Sequence, residues 1–293
     1  MGAGVEDWHV AMLQEELGEG VVRCHVCPRL CRIAPGKSGV CRARVNRDGT
    51  LYAITYAKVC SVAADPIEKK PLYHFFPGTT VLSLGSVGCN FACRHCQNWQ
   101  IAHADPSEAT RDLRDLPTRN LAVLADNNEC QGVSWTYNEP TIWLEYILDG
   151  AQAAHEHGLY TVMVTNGYIT EDALAVLAPH IDAYRVDVKG FSDAQYKELC
   201  RIPDMAPVLT SAERARTVYG CHVEIVTNVI PTFNDDDRTL RGIAEWIVDR
   251  LGADTPWHVT RFMPYLEFAH LPPTPIATLE QAVKIGHDAG LQF

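Results

Sequence analysis

The stretch TVLSLGSVGCNFACRHC, residues 80–96, decides the fold and indicates its chemistry. Its first part, Thr80–Ser86, is an apolar, partly β-branched run typical of a buried strand. The loop after this strand carries Cys89, Cys93 and Cys96. Three thiolates in a C-x3-C-x2-C spacing can bind three corners of an iron–sulfur cubane and leave the fourth iron open, whereas structural zinc normally takes four protein ligands. A zinc site completed by a distant histidine is the alternative.

The strand at residues 80–86 is the first of six apolar runs that alternate with amphipathic segments. The other predicted strands are Gly132–Tyr137, Tyr160–Thr165, Ala183–Val188, His222–Ile230 and Trp257–Phe262. The predicted helices are Leu113–Asn127, Ile142–His157, Thr170–Leu177, Ala212–Tyr219, Asp237–Leu251 and Leu279–Ala289. This alternation predicts an α/β fold, a partial (β/α)6 TIM-like barrel over residues 76–293, although a doubly wound sheet has the same local pattern. In either fold the loops after the strands share one face, where ligands bind.

Composition excludes several classes of function. The 293 residues carry a net charge of −11 and no basic run, so electrostatic capture of nucleic acid or of an anionic membrane is not expected. No apolar run is long enough to cross a bilayer, and the first residues lack an export signal. We therefore expect a cytoplasmic protein, in which the 11 cysteines stay reduced and bind metal rather than form disulfides.

Residues 1–75 are predicted to form a small Cys-rich N-terminal cap. A short helix at Val5–Leu17 and a hairpin around Asn46–Gly49 are expected there. Four cysteines lie close together in this segment: Cys24, Cys27, Cys31 and Cys41. Four thiols fit tetrahedral zinc or a fully ligated auxiliary iron–sulfur cluster equally well, and the closed ligand set favours a structural role. The remaining cysteines, Cys60, Cys130, Cys200 and Cys221, are expected to be small buried hydrophobes.

The cysteine triplet resembles the signature of the radical S-adenosylmethionine (SAM) superfamily. Longer stretches resemble the radical SAM enzymes of the AmmeMemoRadiSam system, relatives of the glycyl-radical-enzyme activases. They include residues 24–31, 65–75, 97–99, 137–141, 165–168, 186–191, 227–232 and 258–262. The resemblance implies a [4Fe-4S] cluster on Cys89, Cys93 and Cys96, with SAM on the open iron. It further implies reductive cleavage of SAM to a 5′-deoxyadenosyl radical that abstracts hydrogen from an unidentified substrate, with flavodoxin or ferredoxin as electron donor and the AmmeMemoRadiSam proteins as partners.

The resemblance also implies SAM-binding residues after the second and third strands. Glu139 stands in the element that holds the SAM ammonium group in the superfamily. Its alternative role is to cap the helix that starts near Thr141. Thr165, Asn166 and Gly167 resemble the segment that approaches the ribose and sulfonium, although Asn-Gly is also common in ordinary turns.

Charged residues near the last strands complete the predicted SAM site. Asp187 and Lys189 alternate with apolar residues, so a strand points both side chains to the same side. They resemble the Asp-x-Lys pair of the activases, whose lysine contacts the SAM carboxylate, and a structural ion pair is the alternative. His258 and Arg261 are candidates for binding adenine or substrate, with a satisfied core histidine as the alternative for His258.

Three functions compete on the sequence alone. The first is the radical SAM enzyme with an unidentified substrate, and the second is an activase that acts on a glycyl radical enzyme. Activases commonly carry an aspartate before Thr-Asn-Gly, where this chain has Val164, which lowers that expectation. The third is a non-catalytic zinc-binding protein. The family usually continues beyond the position of Phe293, so we expect either a trimmed chain or a member without that tail.

Overall fold

A seven-stranded sheet forms the centre of the protein in a computed structural model that describes residues 8–109 and 112–293. Its spatial order is β15-β14-β13-β12-β11-β9-β8. The strands are β8 (Ser61–Pro66), β9 (Thr80–Gly85), β11 (Gly132–Trp135), β12 (Tyr160–Thr165), β13 (Ala183–Asp187), β14 (His222–Val229) and β15 (Trp257–Arg261). β9 and the five strands after it in this sheet are parallel, and β8 is antiparallel at one edge. The predicted α/β partial barrel and all six of its strands are confirmed.

Helices cover the outer face of this sheet. Their bounds are α1 (Trp99–Ala102), α2 (Pro106–Ala109), α3 (Leu121–Asn127), α4 (Leu144–Glu156), α5 (Glu171–Leu177), α6 (Asp193–Cys200), α7 (Ala206–Thr217), α8 (Asp237–Trp246) and α9 (Ile276–Ala289). Side-chain caps start several of them: Thr170 accepts from the amide of Ala173, and Asp236 accepts from the amide of Thr239. The residues of β9, β11, β13 and β14 are mostly buried, whereas β15, at the edge of the sheet, has one buried residue, Trp257.

The N-terminal segment consists of short antiparallel strands. They are β1 (His9–Val10), β2 (Gln14–Glu16), β3 (Val22–Cys24), β4 (Arg32–Ile33), β5 (Arg44–Arg47), β6 (Thr50–Ala53) and β7 (Lys58–Val59). β5 and β6 form the predicted hairpin around Asn46–Gly49. Residues 5–7 of the predicted helix Val5–Leu17 lie outside the described residues. Over residues 8–17 the prediction of a helix is wrong. β1 pairs with β6 and β2 pairs with the next strand, β3, so strand pairing overrides the local helical pattern.

A second correction concerns the predicted helix Leu113–Asn127. Its first residues form the short strand β10 (Arg114–Asp115), which pairs with β7. Pro117 disfavours helical geometry in the residue before it, so the helix starts only after a single turn at Thr118–Asn120.

A buried ion pair fastens the N-terminal segment to the barrel. Arg44 makes a bidentate contact with Glu145 on α4, at 2.8 Å for each nitrogen–oxygen pair. Both side chains are almost fully buried, and the backbone amide of Met12 also donates to Glu145, at 2.7 Å.

The predicted domain division at residue 75 stays a prediction, and β8, which precedes residue 75, belongs to the barrel sheet. Among the described residues, no helix combines the length and apolar character needed to span a bilayer.

Candidate functional site

The carboxyl ends of the parallel strands open into a cavity of about 480 Å³. Side chains from every one of these strand ends line it, as the topology requires. The predicted site residues that line it are Cys89, Cys93, Cys96, Glu139, Thr165, Asn166, Asp187, Lys189 and Arg261. Gly167 and His258 do not line it.

The three thiols of the triplet are largely buried in this cavity. Burial raises the pKa of Cys96 to about 11 and the pKa of Cys89 well above its usual range. The hydrogen bond with Cys200 is the main influence that lowers the pKa of Cys93. Buried thiolates need a counter-charge, and a metal supplies it.

The donor set fits an iron–sulfur cluster. The amide of Phe91 lies 3.3 Å from the sulfur of Cys89, and the side-chain amide of Asn166 lies 3.8 Å from it, so both can donate to a bound thiolate. Such N–H donors tune iron–sulfur centres. Among the described residues no three cysteine sulfurs lie within 4.8 Å of one another. Four thiolates around one zinc ion stand only about 3.8 Å apart, given the usual Zn–S bond and tetrahedral angle. The sulfurs of the triplet are therefore not gathered around a single point at zinc-binding distance in this structure.

Glu139 organises the neighbouring strand ends through its buried carboxylate. It accepts from the amide of Thr141 at 2.9 Å, from the hydroxyl of Thr165 at 2.6 Å and from the amide of Asn166 at 2.8 Å. Burial raises its pKa, and these donors oppose the rise. Glu139 thus caps the turn Pro140–Trp143 and also fixes the two residues predicted to approach SAM.

A charged triad stands at the carboxyl end of β13, formed by Arg185 and Asp187 in the strand and by Lys189 just after it. Lys189 donates to Asp187 at 2.8 Å, and Arg185 contacts the other oxygen of the same carboxylate. Burial alone would raise the pKa of Asp187, but Arg185 and Lys189 hold it at about 2. Sequence reasoning missed Arg185, although strand alternation places positions 185, 187 and 189 on one face.

Lys70 is a second cationic residue of the cavity that sequence reasoning did not identify as a site residue. Lys70 is buried in the cavity wall, where it donates to Asp65 at 2.6 Å. Tyr137 donates to the same carboxylate at 2.6 Å, and Lys70 lies 4.6 Å from the centre of its ring. The cavity wall carries five basic side chains and two acidic ones. The basic residues are Lys69, Lys70, Arg185, Lys189 and Arg261. This surplus suits an anionic group of a ligand.

The last two predicted site residues, His258 and Arg261, lie in different parts of the barrel. Arg261 lines the cavity, and its Nε donates to the carbonyl of Thr274 at 2.9 Å. His258 lies nearer the opposite end of the barrel, where its Nε2 contacts Glu224.

The four N-terminal cysteines line a small cavity of their own, together with Arg44 and Asn90. Burial raises the pKa of Cys27 to about 12 and the pKa of Cys41 to about 11, and neighbouring cysteines contribute to both. A methyl group on Gly88, next to Cys89, would lie 2.9 Å from the carbonyl oxygen of Cys41. The two cysteine groups are therefore in direct backbone contact.

Comparison with known proteins supports this arrangement. The sequence model of the radical SAM superfamily matches residues 84–242 of this chain. An uncharacterized protein of Methanocaldococcus jannaschii is 43% identical over 283 residues, covering 97% of this chain and 83% of that protein. The isethionate sulfite-lyase activating enzyme of Nitratidesulfovibrio vulgaris is 26% identical over 39% of this chain and 37% of that enzyme. A radical SAM methyltransferase structure from Sphaerobacter thermophilus aligns with a TM-score of 0.55 and 15% identity, over 74% of this chain and 66% of that one.

Proposed function

The chain belongs to the radical SAM superfamily, and from that premise we propose that it uses a [4Fe-4S] cluster and SAM to abstract hydrogen from a substrate. The observation that carries the proposal is the set of three thiols that open into one large cavity with no fourth cysteine in its lining. When bound, the reduced cluster and SAM supply the one-electron cleavage that yields methionine and a 5′-deoxyadenosyl radical.

The residues of the chain hold and orient these groups. Cys89, Cys93 and Cys96 bind the cluster, and the loop around them is fixed by hydrogen bonds. Glu139 holds Thr165 and Asn166 in place, so that this strand end forms a rigid wall for the SAM ribose and sulfonium. We assign the SAM ammonium group to the Glu139 carboxylate, whose Oε2 accepts one hydrogen bond from the described residues, that of the Asn166 amide.

Lys189 and Arg261 supply positive charge in the cavity wall for anionic groups of SAM and substrate. Lys189 is held by Asp187, which fixes its ammonium group in a position suited to the SAM carboxylate. Arg261 has no acidic partner among the described residues, so its charge is available to a substrate. We propose flavodoxin or ferredoxin as the electron donor and the cytoplasm as the location.

The direct test is SAM cleavage. Protein reconstituted with iron and sulfide under anaerobic conditions, then reduced with dithionite, should convert SAM to 5′-deoxyadenosine, measured by chromatography. Cys93→Ala should abolish product, because it removes one of three cluster ligands. Cys130→Ala, which changes a buried cysteine outside the cavity, should leave product unchanged. Equal product from both variants would refute the assignment.

Two substrate classes follow from the two resemblances. The AmmeMemoRadiSam resemblance favours a small molecule, or a modification step shared with partner proteins of that system. The similarity to the isethionate sulfite-lyase activating enzyme favours a glycine Cα–H on a glycyl radical enzyme. A protein-based radical doublet in the electron paramagnetic resonance spectrum, seen only with a candidate partner protein, would support the second. Val164 stands where activases commonly have aspartate, so we favour the first.

We propose an auxiliary iron–sulfur cluster, rather than zinc, on the N-terminal cysteines. The support is that, among the described residues, no three of these sulfurs lie within 4.8 Å of one another, whereas four thiolates on one zinc ion stand about 3.8 Å apart. Metal analysis of the reconstituted protein tests this. Cys27→Ser should remove about half of the bound iron and leave SAM-dependent spectral changes of the other cluster in place. Loss of zinc with full retention of iron would establish the structural zinc site instead.

A further inference from the structure

A cluster of imidazoles around one carboxylate lies at the end of the barrel opposite to the cysteine triplet. Glu224 stands early in β14, and His258 stands early in β15. His74 comes from the loop between β8 and β9. One ligand atom from each of these three residues lies within 4.8 Å of the other two.

The carboxylate of Glu224 is completely buried and held in a fixed orientation. The backbone amides of Tyr73 and His74 donate to it at 3.2 and 2.9 Å. His222 contacts one oxygen at 2.9 Å, and His258 contacts the other. Among the described residues, all ion-pair partners of Glu224 are histidines, and none is lysine or arginine. A buried carboxylate whose side-chain partners are all imidazoles is typical of a metal site or of a cluster of protonated histidines.

The surroundings fit a bound ion. The His74 side chain is 36% exposed, which gives an ion a path from solvent. His74 Nδ1 lies 3.6 Å from the Glu224 oxygen that His258 also contacts, so two imidazole nitrogens approach the same carboxylate oxygen. Aromatic rings close the site: Tyr73 packs 5.1 Å from His258, and Phe293 packs 4.8 Å from His74.

We propose that Glu224, His258 and His74 bind one divalent transition metal ion, with His222 orienting the carboxylate from the other oxygen. Two imidazoles and a carboxylate are a common ligand set for Fe²⁺, Mn²⁺ and Zn²⁺. The ion ties the loop that carries His74 to β14 and β15. The same loop continues from Lys69, Lys70 and Pro71, which line the large cavity, so the ion also steadies one wall of that cavity.

Mn²⁺ is the probe of choice because thiolates bind it weakly compared with imidazole and carboxylate ligands. The holoenzyme, with its cysteines occupied by iron–sulfur clusters, is titrated with Mn²⁺ at room temperature, and free Mn²⁺ is followed by its electron paramagnetic resonance signal. We expect saturation at one Mn²⁺ per chain. Failure of the wild-type protein to bind Mn²⁺ overturns the proposal, whatever the result of the SAM cleavage assay.

Variants locate the site. His258→Gln and His74→Asn should each weaken Mn²⁺ binding at least tenfold. His155→Gln is the control, because His155 also contacts a carboxylate, that of Asp182 at 2.9 Å, but outside the cluster. His74→Asn changes a partly exposed loop residue, so it keeps the test valid if His258→Gln does not fold. Wild-type affinity in His74→Asn and in a folded His258→Gln overturns the proposal.

Discussion

The guanidinium of Arg29 donates from Nε to the backbone carbonyl of Asn90 at 2.6 Å. This bond joins the N-terminal cysteine segment to the loop of the triplet, one residue after Cys89. Asn90 in turn accepts from the side chain of Asn166 at 2.8 Å and donates to the carbonyl of Tyr168 at 2.8 Å. The two cysteine groups and the end of β12 therefore share one hydrogen-bonded residue.

Replacing Arg29 tests the strength of this junction. Arg29→Met should lower the free energy of unfolding by about 1.5–3 kcal/mol, the range for a hydrogen bond to a charged group. Urea denaturation measures the change. Arg32→Met is the control, because Arg32 is exposed and makes no side-chain hydrogen bond within the described part of the chain. Similar losses in both variants would mean that the junction adds no stability.

Removing the charge of Glu145 should lower the free energy of unfolding more than Arg29→Met does. Glu145→Gln leaves Arg44 buried without a counter-ion, and breaking a buried pair costs about 3–5 kcal/mol. Thermal and urea denaturation should both show the loss. Asp254→Asn breaks the exposed pair with Arg216 and should cost less than about 1 kcal/mol. A small effect at Glu145 would show that water reaches Arg44.

Gly167 has a backbone φ of +73° and no room for a side chain. A methyl group there would lie 2.9 Å from the side chain of Val186. Gly167→Ala should therefore displace Thr165 and Asn166 and reduce SAM cleavage at least tenfold. Gly158 has a φ of +72° with no atom within 4 Å of an added methyl, so Gly158→Ala carries only the backbone strain. We expect normal SAM cleavage in Gly158→Ala, and equal activities would remove the steric explanation.

The charged triad on β13 predicts a particular response to acid. Because the pKa of Asp187 falls to about 2 in the folded protein, its ionised form stabilises the fold. This stabilisation is complete above the unfolded pKa of about 4 and is lost as the pH falls toward 2. Asp187→Asn should lower stability at pH 7 and flatten the decline between pH 4 and 2. Asp126→Asn, an exposed aspartate without an ion pair among the described residues, should keep the wild-type curve.

The sequence was sufficient to predict the strands of the barrel and the convergence of their ends. Continuous apolar runs identify parallel strands, so all six were placed within two residues of their observed bounds. The edge strand β8 was missed because its segment, Ser61–Pro66, contains polar residues and proline. Helix α6 was also missed, although the sequence displays the S-x-x-Q pattern at Ser192 and Gln195. Ser192 accepts from the amide of Gln195, and the Gln195 side chain accepts from the amide of Phe191.

The site was predictable where ligands lie close in sequence or follow strands. Cys89, Cys93 and Cys96 needed only their spacing. Arg185 was accessible from strand alternation but was not singled out. The contact between His74 and Glu224 joins residues that are 150 positions apart, so only the folded chain reveals it.

The close approach of Gly88 to Cys41 has a consequence for how the protein matures. The triplet opens into the large cavity, so iron and sulfide can reach it after folding is complete. The N-terminal cysteines instead enclose a narrow space that Arg44, Asn90 and Ile142 help to seal. A metal bound by these cysteines should therefore enter more slowly than iron enters the triplet. Reconstitution of the folded protein is expected to load the triplet first and the N-terminal group last.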